Sequence, residues 1–145
     1  MLYQGTFDVP ASRESVYAFL TDAKSLTSIF PEVQDLRISD ENNFSAKVKV
    51  GMSFMRGTLD VKMSLADKRP GSFAKLKARG TGLNSSVDLE STFTLTDGKT
   101  GGTEVAWAAE AKMGGMLASV GSRLIESAAQ KYVSQIIDSL KQKLA

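Results

Sequence analysis

The strongest constraint on this chain is a change of hydrophobic period near Gly114-Gly115. Between Phe44 and Met113 apolar residues alternate with polar ones, the pattern of strands with one dry face. From Met116 onward the spacing becomes helical. Leu117, Val120, Gly121, Leu124, Ala128, Tyr132, Ile136, Leu140 and Leu144 are read as one stripe. A helix spanning Met116 to Leu144 would be roughly 40 Å long. Such a helix has to bury its stripe against the sheet that precedes it. A sheet curled around one long helix leaves a hollow between them, and function is expected there.

The strand sets are Phe44 to Val50, Leu59 to Leu65, Ala74 to Ala78, Val87 to Leu95 and Val105 to Met113. Turn signals part them at Gly51-Met52-Ser53, Arg69-Pro70-Gly71, Gly80 to Ser86, and Asp97 to Gly102. Short turns imply consecutive hairpins and an antiparallel sheet covered on one side. Tyr3 to Val9 reads as a first strand ending at Pro10. Ser12 is placed to cap a short helix carrying Val16, Phe19 and Leu20, with Glu14 in its first turn. Leu26, Ile29 and Phe30 predict a second short helix, stopped by Pro31. The order is strand, two short helices, about six strands, one long helix. The fold class is α+β, and residues 1–145 are read as one domain.

Composition narrows the chemistry. The chain has no cysteine and no histidine, which removes thiolate chemistry and the commonest general base and metal ligand. Glu110 and Asp88 alternate with apolar neighbours and point outward, and no inward carboxylate pair is identifiable. No catalytic residue, metal ligand or cofactor is therefore expected, and the chain is read as a non-enzyme. The N-terminus lacks a signal-peptide pattern, and no apolar run reaches the roughly 20 residues that span a bilayer. The expected location is the cytoplasm, with peripheral contact to the inner face of the membrane as an extension of that reading.

Two sets of side chains are candidates for function. The sheet offers Met55, Leu59, Val61, Met63, Leu76, Leu89, Phe93 and Trp107 inward. The helices offer Phe19, Leu26, Phe30, Met116, Val120, Leu124 and Tyr132. Taken singly, most of these would suit an ordinary core. Gly121, Ala128 and Ala129 on the helix, and Ala109 and Ala111 on the facing strand, leave space among them. An empty apolar pocket of about 300 Å³ would cost around 7 kcal/mol at roughly 24 cal/mol per Å³. That rivals total folding stability, so a real pocket here is small, collapsible, hydrated or occupied.

The second set is basic. Net charge is only +2, yet residues 43–79 carry 9 basic and 2 acidic side chains. Lys47, Lys49, Lys62, Lys75, Lys77 and Arg79 fall on outward positions of three strands, with Arg56 beside them. The turn positions place Lys49 opposite Arg56 and Lys62 opposite Lys77, unfavourable pairs that an anionic partner or lipid headgroups would relieve. Asp60, Asp88 and Glu90 offset part of the charge, Lys77 facing Asp88 and Lys75 facing Glu90. Nucleic acid is not the expected partner, because these strands carry no exposed aromatic residues for base stacking.

The element order is that of the START and birch-pollen-allergen-like helix-grip superfamily. Phe7-Asp8-Val9-Pro10-Ala11, Val16 to Asp22, Phe30-Pro31-Glu32-Val33, Ala46 to Gly51, Gly114 to Ala118 and Gly121 to Ile125 resemble CoxG, a family named for carbon monoxide dehydrogenase. The resemblance covers nearly the whole chain. It departs at Glu32, where many relatives have glycine, and at the C-terminus, where relatives often carry a membrane-binding extension. It implies a hydrophobic pocket between sheet and helix for a lipid, isoprenoid or quinone. It also implies an accessory role beside a membrane-associated molybdenum-hydroxylase-type enzyme. An interaction or membrane-recruitment adaptor using the basic face is the alternative.

Overall fold

The computed structural model describes residues 1–52, 55–99 and 101–145. Strand β1 (Leu2–Val9) leads into helices α1 (Arg13–Leu20) and α2 (Ala23–Ser28). Six strands follow: β2 (Val33–Asp40), β3 (Asn43–Met52), β4 (Met55–Arg69), β5 (Phe73–Gly82), β6 (Ser85–Asp97) and β7 (Thr103–Gly115). A 3₁₀ turn (Met116–Ser119) precedes helix α3 (Ser122–Lys143). The seven strands form an antiparallel sheet in the order β1-β7-β6-β5-β4-β3-β2. Consecutive hairpins build it from β2 to β7, and β1 closes onto β7.

Local chemistry sets the short helices. Ser12 caps α1, its hydroxyl accepting from the Ser15 amide at 3.2 Å. Asp22 caps α2 in the same way, accepting from the Ser25 amide at 3.0 Å. Each cap satisfies an amide that the first helical turn leaves without a partner. Both helices then press Val16, Leu20, Ala23 and Leu26 into the core beside Val9, Phe44, Leu65, Leu95 and Val105. Leu140 of α3 and Leu144 at its C-cap close that end.

The C-terminal helix is shorter than its sequence pattern suggests. Val120 and Gly121 are extended (ψ 137° and 141°), so α3 starts at Ser122 and its 22 residues span about 33 Å. The break changes which residues face the sheet. Ile125 is buried, whereas Leu124 is 52% exposed and Met116 58% exposed. Gly121, read as part of the stripe that faces the sheet, is exposed, with nothing within 4 Å of an added Cβ. It stands at the cap position before α3 instead. Gly115 does make the strand-to-helix turn. It adopts φ 70°, and a Cβ there would lie 2.2 Å from the Asn84 carbonyl oxygen.

Two hairpin registers also differ from the sequence reading. Arg56 pairs with Gly51 and Lys49 with Thr58; the residues between β3 and β4, including Ser53 of the expected turn, lie outside the described ones. Lys62 lies opposite Arg79, and Lys77 opposite Ser64. The β4–β5 turn runs from Arg69 to Phe73, wider than Arg69-Pro70-Gly71, and follows an irregularity after Ala66 where Asp67 takes φ 52°. Gly80 and Gly82, read as part of a turn from Gly80 to Ser86, belong to β5. The turn is Leu83-Asn84, both at positive φ.

Candidate functional site

The sheet's inner face has two distinct ends. Towards α1 and α2, the inward residues Phe44, Ala46, Met63, Leu65, Ala74, Leu76, Leu95 and Val105 are fully buried. Towards the start of α3, inward residues are only half-buried. They include Leu59 and Val61 on β4, Val87 and Leu89 on β6, and Ala111 and Met113 on β7. The register places Leu89 beside Ala111 and Val87 beside Met113. These inward apolar residues keep partial exposure that their counterparts at the other end of the face lack. Ile125, Ala128, Ala129 and Tyr132 are the α3 residues turned to that side. At the far end Leu83 folds over Gly57, where an added Cβ would lie 2.5 Å from Leu83 Cδ2.

The residues chosen from sequence divide accordingly. Leu59, Val61, Leu89, Phe93, Trp107 and Tyr132 are half-buried on the inner side, and Met55 and Val120 are half-buried at the distal end. Leu26, Met63 and Leu76 belong to the closed core, and Phe19 and Phe30 pack against it. Met116 and Leu124 turn to solvent. Sequence reasoning passed over Ile125. It missed Val87 and Met113 as site residues too, although their alternation already put them inward.

Two polar groups sit in this apolar interior. Burial pushes the Tyr132 phenol up to about 12. The indole Nε1 of Trp107 is buried and has no hydrogen-bond partner among the described residues. Trp107 pairs across the sheet with Gly5 and Phe93. Its ring lies on Gly5, where a Cβ would come within 3.2 Å of Nε1 and Cζ2. Glycine at that point is what lets a large ring lie flat against β1.

The outer face carries the basic set, partly neutralised. Arg79 Nη1 donates to both Asp88 oxygens at 2.7 Å. Lys75 Nζ lies 2.9 Å from Glu90 and 3.5 Å from Asp67, which holds the Glu90 carboxyl below its usual range and raises Lys75. Lys47 reaches Asp60 at 4.0 Å. Lys77 stands directly opposite Glu90 rather than Asp88. Among the described residues, Lys49, Arg56, Lys62 and Lys77 make no ion pair. A cleft of about 370 Å³ opens on this face, lined by Lys62, Lys77, Arg79, Asp88, Glu110 and Lys112 among others. Its charged walls suit ions, not the apolar ligand expected between sheet and helix. Among the described residues no cluster fit to hold a metal ion occurs, and no helix is long and apolar enough to cross a membrane.

Comparison with known proteins accords with this architecture. The chain matches CoxG, the family described as a subunit of carbon monoxide dehydrogenase, over residues 5–145. A conserved protein from Geobacillus kaustophilus superposes with TM-score 0.90 at 22% identity, covering 99% of this chain and 95% of that one. A START superfamily protein from Mycobacterium smegmatis superposes with TM-score 0.71 at 11% identity, covering 99% and 96%. At these identities the likeness shows the fold alone. No curated protein matches the chain significantly.

Proposed function

The chain belongs to the CoxG family of carbon monoxide dehydrogenase, and from that premise we propose that it binds a hydrophobic small molecule between sheet and α3. The ligand class is a lipid, isoprenoid or quinone, and the role is that of a non-catalytic cytoplasmic accessory to a membrane-associated molybdenum-hydroxylase-type enzyme. One observation carries the binding reading. Leu59, Val61, Val87, Leu89, Ala111 and Met113 are inward and apolar, yet only half-buried under a helix. Covering such a surface with a ligand's hydrocarbon is favourable by about 25 cal/mol per Å². The inward positions from Leu59 to Met63, Val87 to Leu95 and Val105 to Met113 carry no charged residue, so the fit is to an uncharged hydrocarbon body.

The accessory part of the proposal rests on the outer face. Lys49, Arg56, Lys62 and Lys77 are exposed cations on one side of the sheet, opposite the groove. Docking an acidic protein there leaves the groove free, so one molecule serves both partners.

Incubation with quinone-containing liposomes, repurification without detergent, solvent extraction and mass spectrometry test the binding reading. Near-stoichiometric lipid or quinone above a mock purification is the expected result. A blank would leave the outer face and its partner as the function. Reversing Lys49 and Lys77 to Glu should abolish partner capture while the extracted ligand is unchanged.

A further inference from the structure

The Trp107 indole is the least satisfied group in the sheet–helix interior. Its N–H is buried without an acceptor among the described residues, a state that disfavours the ligand-free protein relative to any form in which the donor is paired. The ring is not locked into the closed core. Val105, two residues earlier on β7, is 2% exposed, whereas Trp107 itself is half-buried. Ala109 and Ala111, the next inward residues of β7, are small and half-buried as well. Trp107 therefore stands where the packed core gives way to the half-buried end of the inner face, beside the small side chains of Ala109 and Ala111. On its other side the missing side chain of Gly5 supports the ring.

Chemistry on this face restricts what can pair the donor. The inward positions of β1, β6 and β7 near Trp107 are Tyr3, Gly5, Phe7, Ser91, Phe93, Ala109 and Ala111, with no charged group among them. An anionic head would find no counter-ion on these strands, and the Lys141 ammonium of α3 is already over the Phe7 ring at 5.9 Å; a buried head left unpaired costs far more than an indole hydrogen bond returns. An uncharged oxygen acceptor carries no such penalty. The phenol of Tyr132, strongly desolvated on the buried side of α3, adds a second neutral polar atom to the same interior.

We propose that Trp107 is the polar anchor of the groove, turning on its χ angles to donate its indole N–H to an uncharged acceptor oxygen at one end of an otherwise apolar ligand. The inference rests on the groove-binding reading and adds to it the class of ligand head and the residue that selects it.

The chain has a single tryptophan, so one indole N–H cross-peak reports this donor directly. The ¹⁵N-labelled protein is titrated with 2-tridecanone and, separately, with tridecane, each delivered from a cyclodextrin carrier. Trp107→Phe is titrated in parallel after its melting transition shows that it folds. The ketone should move the indole proton downfield and bind Trp107→Phe about 3- to 10-fold more weakly than wild type. Tridecane should bind both proteins equally and produce no downfield shift. If both probes bind but the ketone moves the proton no further and loses nothing in Trp107→Phe, the anchor is refuted and the groove stands. If neither probe binds wild type, the groove reading fails and the anchor falls with it. If Trp107→Phe does not fold, the wild-type contrast between ketone and alkane decides alone.

Discussion

Glu32 shows most plainly how a single position records the backbone's demand. It follows Pro31 at φ 61°, a left-handed conformation that costs a side-chain-bearing residue about 1–2 kcal/mol. The glycine expected there from the resemblance avoids that cost but gives back part of it in unfolded-state entropy. Glu32→Gly should stabilise the chain by about 0.5–1 kcal/mol, read as a higher urea midpoint. A lower midpoint would mean that the Glu32 side chain holds the α2–β2 corner. Asp22 makes a second test. Its carboxyl is held below the usual range chiefly by the Ser25 amide. A depressed carboxylate contributes stability that is complete above its ordinary value and fades as pH falls through the folded value. Asp22→Ala should therefore cost about 1 kcal/mol at pH 7, and the difference should shrink as pH drops below about 4. Thermal melts of both proteins at pH 7 and pH 3 check this. An equal deficit at both would point to packing rather than the cap.

At the scale of elements, β1 and β3 to β7 were legible because alternation survives any register; β2, exposed along most of its length, carries no such alternation and was not read. The pairing was not, because it depends on turns whose widths alternation does not encode. The irregularity at Asp67 and the wide Arg69–Phe73 turn move Lys62 from Lys77 to Arg79. Helix α3 shows a different limit. A stripe read by steps of four rotates about 40° per step, since each residue turns about 100°. Over the sixteen residues from Leu124 to Leu140 the drift reaches about 160°, so the two cannot share a face. Ile125 lies about 60° from Leu140 and is the residue buried. Ile125→Ala should cost about 2–4 kcal/mol, and Leu124→Ala less than about 0.5 kcal/mol, in denaturant unfolding. Similar losses for the two would contradict the helix phase.

At the scale of the whole molecule, the sequence carried the helix-grip order, the apolar interior and the basic outer face. It did not separate closed core from groove, because Met63 and Val61 read alike in sequence. Their burial differs through what lies over them: Met63 belongs to the core cluster that α1, α2 and the end of α3 close, while Val61 packs at its margin. If the half-buried end is a ligand groove, Ala111 lies on its floor and tests it most directly. A fluorescent fatty-acyl probe is titrated into wild type and Ala111→Phe, with unfolding followed in both. The expected result is one probe per wild-type chain and at least tenfold weaker binding in Ala111→Phe, since the added ring occupies the groove, at an overpacking cost of about 1–3 kcal/mol that the unfolding curves register. Equal binding by both folded proteins, or none by wild type, would contradict the groove.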